Sequence, residues 1–296
     1  MSSVDTTYGS YAQDADYVAL NRDMIASIPL DAVERVADLA CGTGLLSRLL
    51  FERKGSLKIC GIDLDPVQVN YATEGLSSDG VTILSDLEAW RAAEARAAFL
   101  QAASAMELPL ADGEVDLVVI GNAIHMMPDR DAFIAEVARV LRPGGRFVFN
   151  SVFYAGTFVE GTDSVFTEMM KQAVMALNER NAALRAAGEK PIPRKRGTVK
   201  KAFQQTDWLT EEGWCDAVAA AGFTIEASGQ SAVPISEDGL AMIGGYGGLA
   251  EVLLSGYPID IASECMQEGV HRAFSTLEIT EVPRNWLQVT AQRTPG

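Results

Sequence analysis

Cysteine and histidine are nearly missing from this chain. Its 296 residues hold four cysteines, Cys41, Cys60, Cys215 and Cys265, scattered with no CxxC pair. That spacing argues against a disulfide framework and against a zinc knuckle. His125 and His271 are the only histidines. Neither has a second His or a Cys at ligand spacing, so no metal site is expected. No stretch approaches the ~20 uninterrupted apolar residues of a membrane-spanning helix. The opening, MSSVDTTYGSYAQDADY, has neither a basic region nor an apolar run, so no signal peptide is expected and the chain reads as cytoplasmic. Cations are in deficit too: 24 Lys and Arg face 40 Asp and Glu, a net charge of −16. Such a surface repels phosphate backbones and anionic lipid, which argues against nucleic-acid and membrane partners.

What is present suffices for a sizeable core, since 48% of the residues are apolar. The first half alternates short β-branched runs with helical stretches, the pattern of an α/β fold with a parallel sheet. Helices are predicted over 15–27, 44–54, from Asp65-Pro66 to about 75, over 84–94 and over 130–141. Strands are predicted over 33–39, 57–63, 97–102, 114–120 and, after Pro143-Gly144-Gly145, over 146–152. Beyond residue 153 the pattern loosens into helices at 164–187 and 210–221, a strand at 223–227, helical sequence over 237–277 and a last strand at 285–291. The reading is a single domain, 1–296. It has an N-terminal helical segment (1–30), a core (33–152) and two insertions, 154–207 and 236–281, of the kind that covers a site.

The sharpest local signal is VADLACGTGLL, a strand running into glycines that open a helix. Backbone N–H groups converge there and a ligand can approach closely, although many glycine turns merely join a strand to a helix. Gly42 and Gly44 supply two glycines of a dinucleotide fingerprint, but Ser47 holds the third position. Charge then selects the ligand. Asp38 beside the loop would repel a pyrophosphate and attract an ammonium or sulfonium. Asp63 ends the next strand about 20 residues on, where doubly wound folds place an acid that accepts from ribose hydroxyls. Together these residues predict adenosine attached to a cationic, phosphate-free group.

Four segments in order, DLACGTG, GIDLD, AMELPLADGEVDLVVIGNAIHMM and RVLRPGGRFVF, closely resemble successive motifs of class I S-adenosylmethionine-dependent methyltransferases. Within that superfamily the chain looks most like the small-molecule group that serves quinone and natural-product biosynthesis. The resemblance covers roughly 33–152. It implies a doubly wound, mostly parallel, Rossmann-like sheet of seven strands, the final one antiparallel, with helical insertions as a lid. It further implies S-adenosyl-L-methionine as cofactor, with Asp38, Ala40, Gly42 and Thr43 around the methionyl part and Gly44 also in the cofactor site. Asp63 would take the ribose, Leu64, Ala105 and Met106 the adenine ring, and Ser104 the adenine amino group. Asn122 would sit beside the methionyl amine, and Tyr11 would close over the cofactor. Ala40 departs from the commoner glycine, and Ser104 from a common aspartate.

Methyl transfer needs alignment, exclusion of water and, where the acceptor carries a proton, a base. His125, three residues past Asn122 near a strand's carboxyl end, is the first candidate. A histidine that merely packs beside Met126 and Met127 is the alternative. Tyr154, Phe158, Tyr246 and His271, in the insertions, are candidates for binding a small, largely apolar acceptor such as a polyketide, terpenoid or aromatic metabolite. The GGYGG run at 244–248 lacks a following Lys-Ser or Lys-Thr, which argues for a hinge or close helix contact over a phosphate loop. Arg194, Lys195, Arg196, Lys200 and Lys201 form a basic island, either a solvated loop or a receiver for an anionic acceptor such as a prenyl diphosphate. Other readings are cyclisation or rearrangement of a natural product on the same scaffold, methylation-triggered cyclisation of a prenyl-type acceptor, a nicotinamide dehydrogenase and a cofactor-sensing subunit. Whether oxygen, nitrogen or carbon is methylated is left open, as is a homo-oligomer.

Overall fold

The alternating runs of the first half become, in the computed structural model, one sheet with helices on both faces; residues 13–195 and 208–295 are described. Tyr11, Arg196, Lys200 and Lys201 lie outside them. The strands are β1 (Arg35–Leu39), β2 (Lys58–Asp63), β3 (Thr82–Ile83), β4 (Ala97–Ala102), β5 (Val115–Gly121), β6 (Leu141–Ser151), β7 (Phe223–Ser236) and β8 (Glu281–Arg293). The helices are α1 (Ala15–Ser27), α2 (Leu45–Arg53), α3 (Pro66–Ser78), α4 (Leu87–Ala92), α5 (Arg130–Val140), α6 (Asp163–Ala186), α7 (Glu211–Ala220), α8 (Glu237–Gly245), α9 (Gly247–Leu253) and α10 (Ile259–Leu277).

The strand order is β3-β4-β2-β1-β5-β6-β8-β7. Pairing from β3 through β6 is parallel, and β8 runs antiparallel to β6. Eight strands replace the expected seven. The addition is β3, two residues long, too short to leave a pattern in sequence. Helix starts follow local chemistry. The Asp65 carboxylate accepts from Val67 N at 2.8 Å with Pro66 in the first turn, and Asp129 and Thr210 cap α5 and α7 in the same way.

The chain falls into two compact units. The sheet unit takes in described residues 17–157, 208–231 and 286–295. Successive strand residues point to opposite faces, which builds two cores. Val36, Ile59, Leu117, Val119 and Val148 pack with Met24, Ile25, Leu46, Leu50 and Leu76 from α1, α2 and α3. Ala37, Leu39, Cys60, Ile62, Phe147 and Phe149 pack with Trp90, Phe133, Val137, Trp214 and Val218 from α4, α5 and α7.

The helical unit takes in described residues 13–16, 158–195 and 232–285, with a core from α6, α8, α9 and α10. The helical sequence over 237–277 is three helices, because α9 restarts at Tyr246 and the chain turns at Gly256 (φ +89°) before α10. Gly244 backs onto the main chain of Met266, so the GGYGG run makes a close helix contact. At Gly269 a Cβ would lie 2.7 Å from the Met169 carbonyl, so α10 and α6 meet backbone to backbone. No helix of the described residues is long and apolar enough to cross a membrane.

Candidate active site

Parallel register brings the carboxyl ends of β1, β2, β5 and β6 to one edge, where Asp38, Asp63, Asn122 and Asn150 stand. On β1, Val36 faces the α2 side and Ala37 and Leu39 the other. Alternation therefore turns Asp38 toward the first turn of α2. There the Ser47 hydroxyl donates to Asp38 Oδ2 at 2.6 Å and the Ser47 N–H at 3.1 Å. Asp38 Oδ1 is buried and has no hydrogen-bond partner among the described residues. Burial pushes the Asp38 carboxyl up to about 7, against the pull of the Ser47 hydrogen bonds and with added repulsion from Asp63.

The bend itself is left-handed at three positions: Ala40 (φ 49°), Gly42 (φ 53°) and Gly44 (φ 83°). At Gly42 no atom of the described residues lies within 4 Å of where a Cβ would stand. Thr43 is half-buried beside it. Asp63 braces the bend from β2. Its Oδ2 accepts from Gly42 N at 2.8 Å and its Oδ1 from Asp65 N at 2.9 Å. Burial raises the Asp63 pKa while these N–H groups act the other way. Burial, then Asp38 and Asp63, push the Cys41 thiol well up.

Leu64 beside Asp63 is 78% exposed, an apolar surface with nothing packed over most of it. Ser104 is exposed and its hydroxyl oxygen accepts from Met106 N at 3.2 Å, so one lone pair is already engaged. Ala105 and Met106 are half-buried against the sheet core. Asn122 is also left-handed (φ 49°) and buried. Its N–H donates to both Oδ1 (2.9 Å) and the carbonyl (3.1 Å) of Asn150, and its Oδ1 accepts from Val152 N at 3.0 Å. Asn150 in turn donates to Asn21 of α1 at 3.0 Å. His125, on a 3-10 turn over Ile124–Met126, is buried, stacks on Phe153 with centroids 4.1 Å apart, and places Nδ1 3.4 Å from the Ser151 hydroxyl.

The structure thus gathers Asp38, Ala40, Gly42, Thr43, Gly44, Asp63, Asn122 and His125 along one sheet edge. The acceptor candidates are placed as follows. Tyr154 is fully buried in the sheet core, with its hydroxyl donating to Gln230 at 2.8 Å. His271 belongs to the helical unit, half-exposed, its Nδ1 2.7 Å from Glu237 Oε1. Tyr246 caps α9 through its carbonyl, which takes Leu249 and Ala250 N–H. Phe158 stays 42% exposed, set edge-on to Phe166, with Arg284 over both rings. Of the basic island, Arg194 lies over the Tyr257 ring and donates to the Ser255 carbonyl. Sequence reasoning passed over Ser47, Asn150, Asn21 and Ser151. Ser47 alone carried a signal, as the residue standing where a dinucleotide site has glycine.

Parallel strand ends that hold a glycine bend between two acids define a nucleotide-binding domain suited to a cationic, phosphate-free ligand. Residues 37–149 match the family described as methyltransferase domain. The 27-O-demethylrifamycin SV methyltransferase of Amycolatopsis mediterranei is 31% identical over 168 residues, 55% of this chain and 57% of that protein. Methyltransferase GfsG of Streptomyces halstedii is 32% identical over 139 residues, 47% of this chain and 45% of that protein. The chain thus spans about half the length of these curated relatives. Among solved structures, the cyclase SpnF has a TM-score of 0.54 at 20% identity, covering 94% of this chain and 82% of SpnF. YcgJ of Bacillus subtilis has 0.53 at 16%, covering 96% and 100%. These likenesses concern the fold. Residues 37–149 thus match a methyltransferase domain, and the cofactor that the resemblance implies is S-adenosyl-L-methionine.

The residues present fit that cofactor. Among the described residues, Asp38 Oδ1 is a buried acceptor without a donor and nothing stands where a Cβ on Gly42 would point.

Proposed function

We propose that this chain is an S-adenosylmethionine-dependent methyltransferase acting on a small, largely apolar metabolite. The observation that carries the reading is the bracketed bend, in particular the orphaned, buried oxygen of Asp38. When bound, S-adenosyl-L-methionine supplies an electrophilic methyl group on a positively charged sulfur. Asp38 would balance cationic charge in the methionyl part, held in orientation by Ser47. Asp63 would accept from the ribose hydroxyls through lone pairs that Gly42 and Asp65 leave available. Leu64, Ala105 and Met106 would cover the adenine, and Asn122 would stand beside the amine. His125 is assigned as the base that takes the acceptor's proton.

The segments 158–195 and 232–285 are assigned to acceptor selection. Half-buried or exposed Phe158, Phe166 and Tyr257 support an apolar acceptor, as does the relative that methylates 27-O-demethylrifamycin SV. The test is incubation of the full chain with methyl-labelled cofactor and a panel of hydroxylated aromatic and polyketide compounds, read by mass. Gain of one methyl group supports the reading. Conversion of a compound with no gain in mass would instead favour rearrangement on this scaffold.

A further inference from the structure

We infer that Ser151 is a positioning residue which locks the His125 proton onto Nδ1, so that Nε2 is the nitrogen that gains and loses a proton. The inference deepens the assignment of His125 as base and rests on that reading for its use in catalysis. Its geometry stands apart.

Ser151 ends β6 and is fully buried, so its hydroxyl must find partners within the protein. Three surround it. Phe153 N–H donates to Oγ at 3.0 Å, the Phe153 carbonyl lies at 3.5 Å, and His125 Nδ1 at 3.4 Å. A hydroxyl has one proton and two lone pairs. The Phe153 N–H occupies one lone pair. If the hydroxyl proton pointed at Nδ1, the Phe153 carbonyl would face an oxygen lone pair and that contact would be repulsive. If instead Nδ1–H donates to the second lone pair, the hydroxyl proton is released to the carbonyl, and all three contacts become hydrogen bonds. Only the second arrangement satisfies the whole set. The Phe153 ring, stacked on the imidazole 33° from parallel, restrains rotation that would bring Nε2 to Ser151. An Nδ1–H donor to Oγ persists whether the ring is neutral or charged, because both nitrogens carry protons in the charged form. Free neutral histidine prefers the opposite tautomer, protonated on Nε2. The expected state is therefore one that the protein must impose.

The chain has only two histidines, so two-dimensional 15N–1H correlation of the imidazole rings in the full chain resolves them, and His271→Gln assigns the pair. The measurement is made at a pH where the rings are neutral. The expected result is a protonated, pyrrole-type Nδ1 and an unprotonated, pyridine-type Nε2 for His125. In Ser151→Ala the populations should move toward Nε2–H, and Ser151→Thr, which keeps the hydroxyl, should restore the wild-type pattern. A wild-type His125 protonated on Nε2 would overturn the assignment. So would a Ser151→Ala protein whose His125 tautomer is unchanged. Neither outcome depends on methyl transfer, so this inference fails separately from the proposed activity.

Discussion

Replacing Asp38 by Asn should have opposite effects on stability and on cofactor binding. In the cofactor-free protein a carboxyl with an ordinary pKa of 3.8 is pushed up to about 7 by burial. The sign follows from linkage: the protonated folded form is favoured, so this contribution is full below 3.8 and is lost as pH rises through about 7. A rise of about three in pKa corresponds to ~4 kcal/mol, of which roughly 2 accrues between about pH 5.5 and about pH 8. Asn is close in size, keeps an oxygen for Ser47 and carries no charge. The stability gap between Asp38→Asn and wild type should therefore widen in the variant's favour by roughly 2 kcal/mol over that interval. Constant costs, such as an unpartnered amide N–H, cancel in the difference. Denaturant unfolding of both proteins at the two pH values measures it. Cofactor affinity at the higher pH should fall about 10–100-fold, the size of a lost charge-assisted hydrogen bond. A stability gap that is equal at the two pH values would refute the reasoning, since Asp38 would then titrate alike in folded and unfolded chains.

Asp63→Ala should weaken S-adenosylhomocysteine binding about 10–100-fold by calorimetry, because it removes both the ribose acceptor and the brace on Gly42. Ala40→Gly should stabilise the protein by ~0.5–1 kcal/mol in denaturant unfolding, since alanine is strained in the left-handed region and the gain exceeds glycine's extra entropy when unfolded. Wild-type cofactor affinity should rise as pH passes upward through about 7, because ionised Asp38 is the binding form; a flat pH profile would remove Asp38 from recognition. His125→Asn should lower turnover by about 100-fold or more with an acceptor that must lose a proton, while leaving cofactor affinity unchanged.

Much of the sheet unit was legible because local chemistry decides it. The helix over 15–27 and the strand over 97–102 fall where the pattern puts them, and Asp65-Pro66 opens α3 as capping rules require. Elsewhere the deciding contacts are distant. The two residues of β3 become a strand because they pair with β4. Pro143-Gly144-Gly145 does stop α5 but then lies inside β6, whose strand begins at Leu141 and shifts register against β5. β7 continues to Ser236 through polar sequence with no alternation to betray it. Asp38 and Asp63 were readable as acids at strand ends beside glycines. The enclosure of Tyr154 and its bond to Gln230 depend on chain 76 residues away, which no local pattern shows. The Asn122–Asn150–Asn21 linkage is equally long-range, joining β5, β6 and α1.

The central claim is that two carboxylates around a glycine bend select a cationic nucleoside over a diphosphate one. Calorimetric titration of the full chain with S-adenosyl-L-methionine and, separately, with NAD tests it most directly. Saturable binding of the first with none of the second is predicted; binding of NAD with no heat from S-adenosyl-L-methionine would contradict the account.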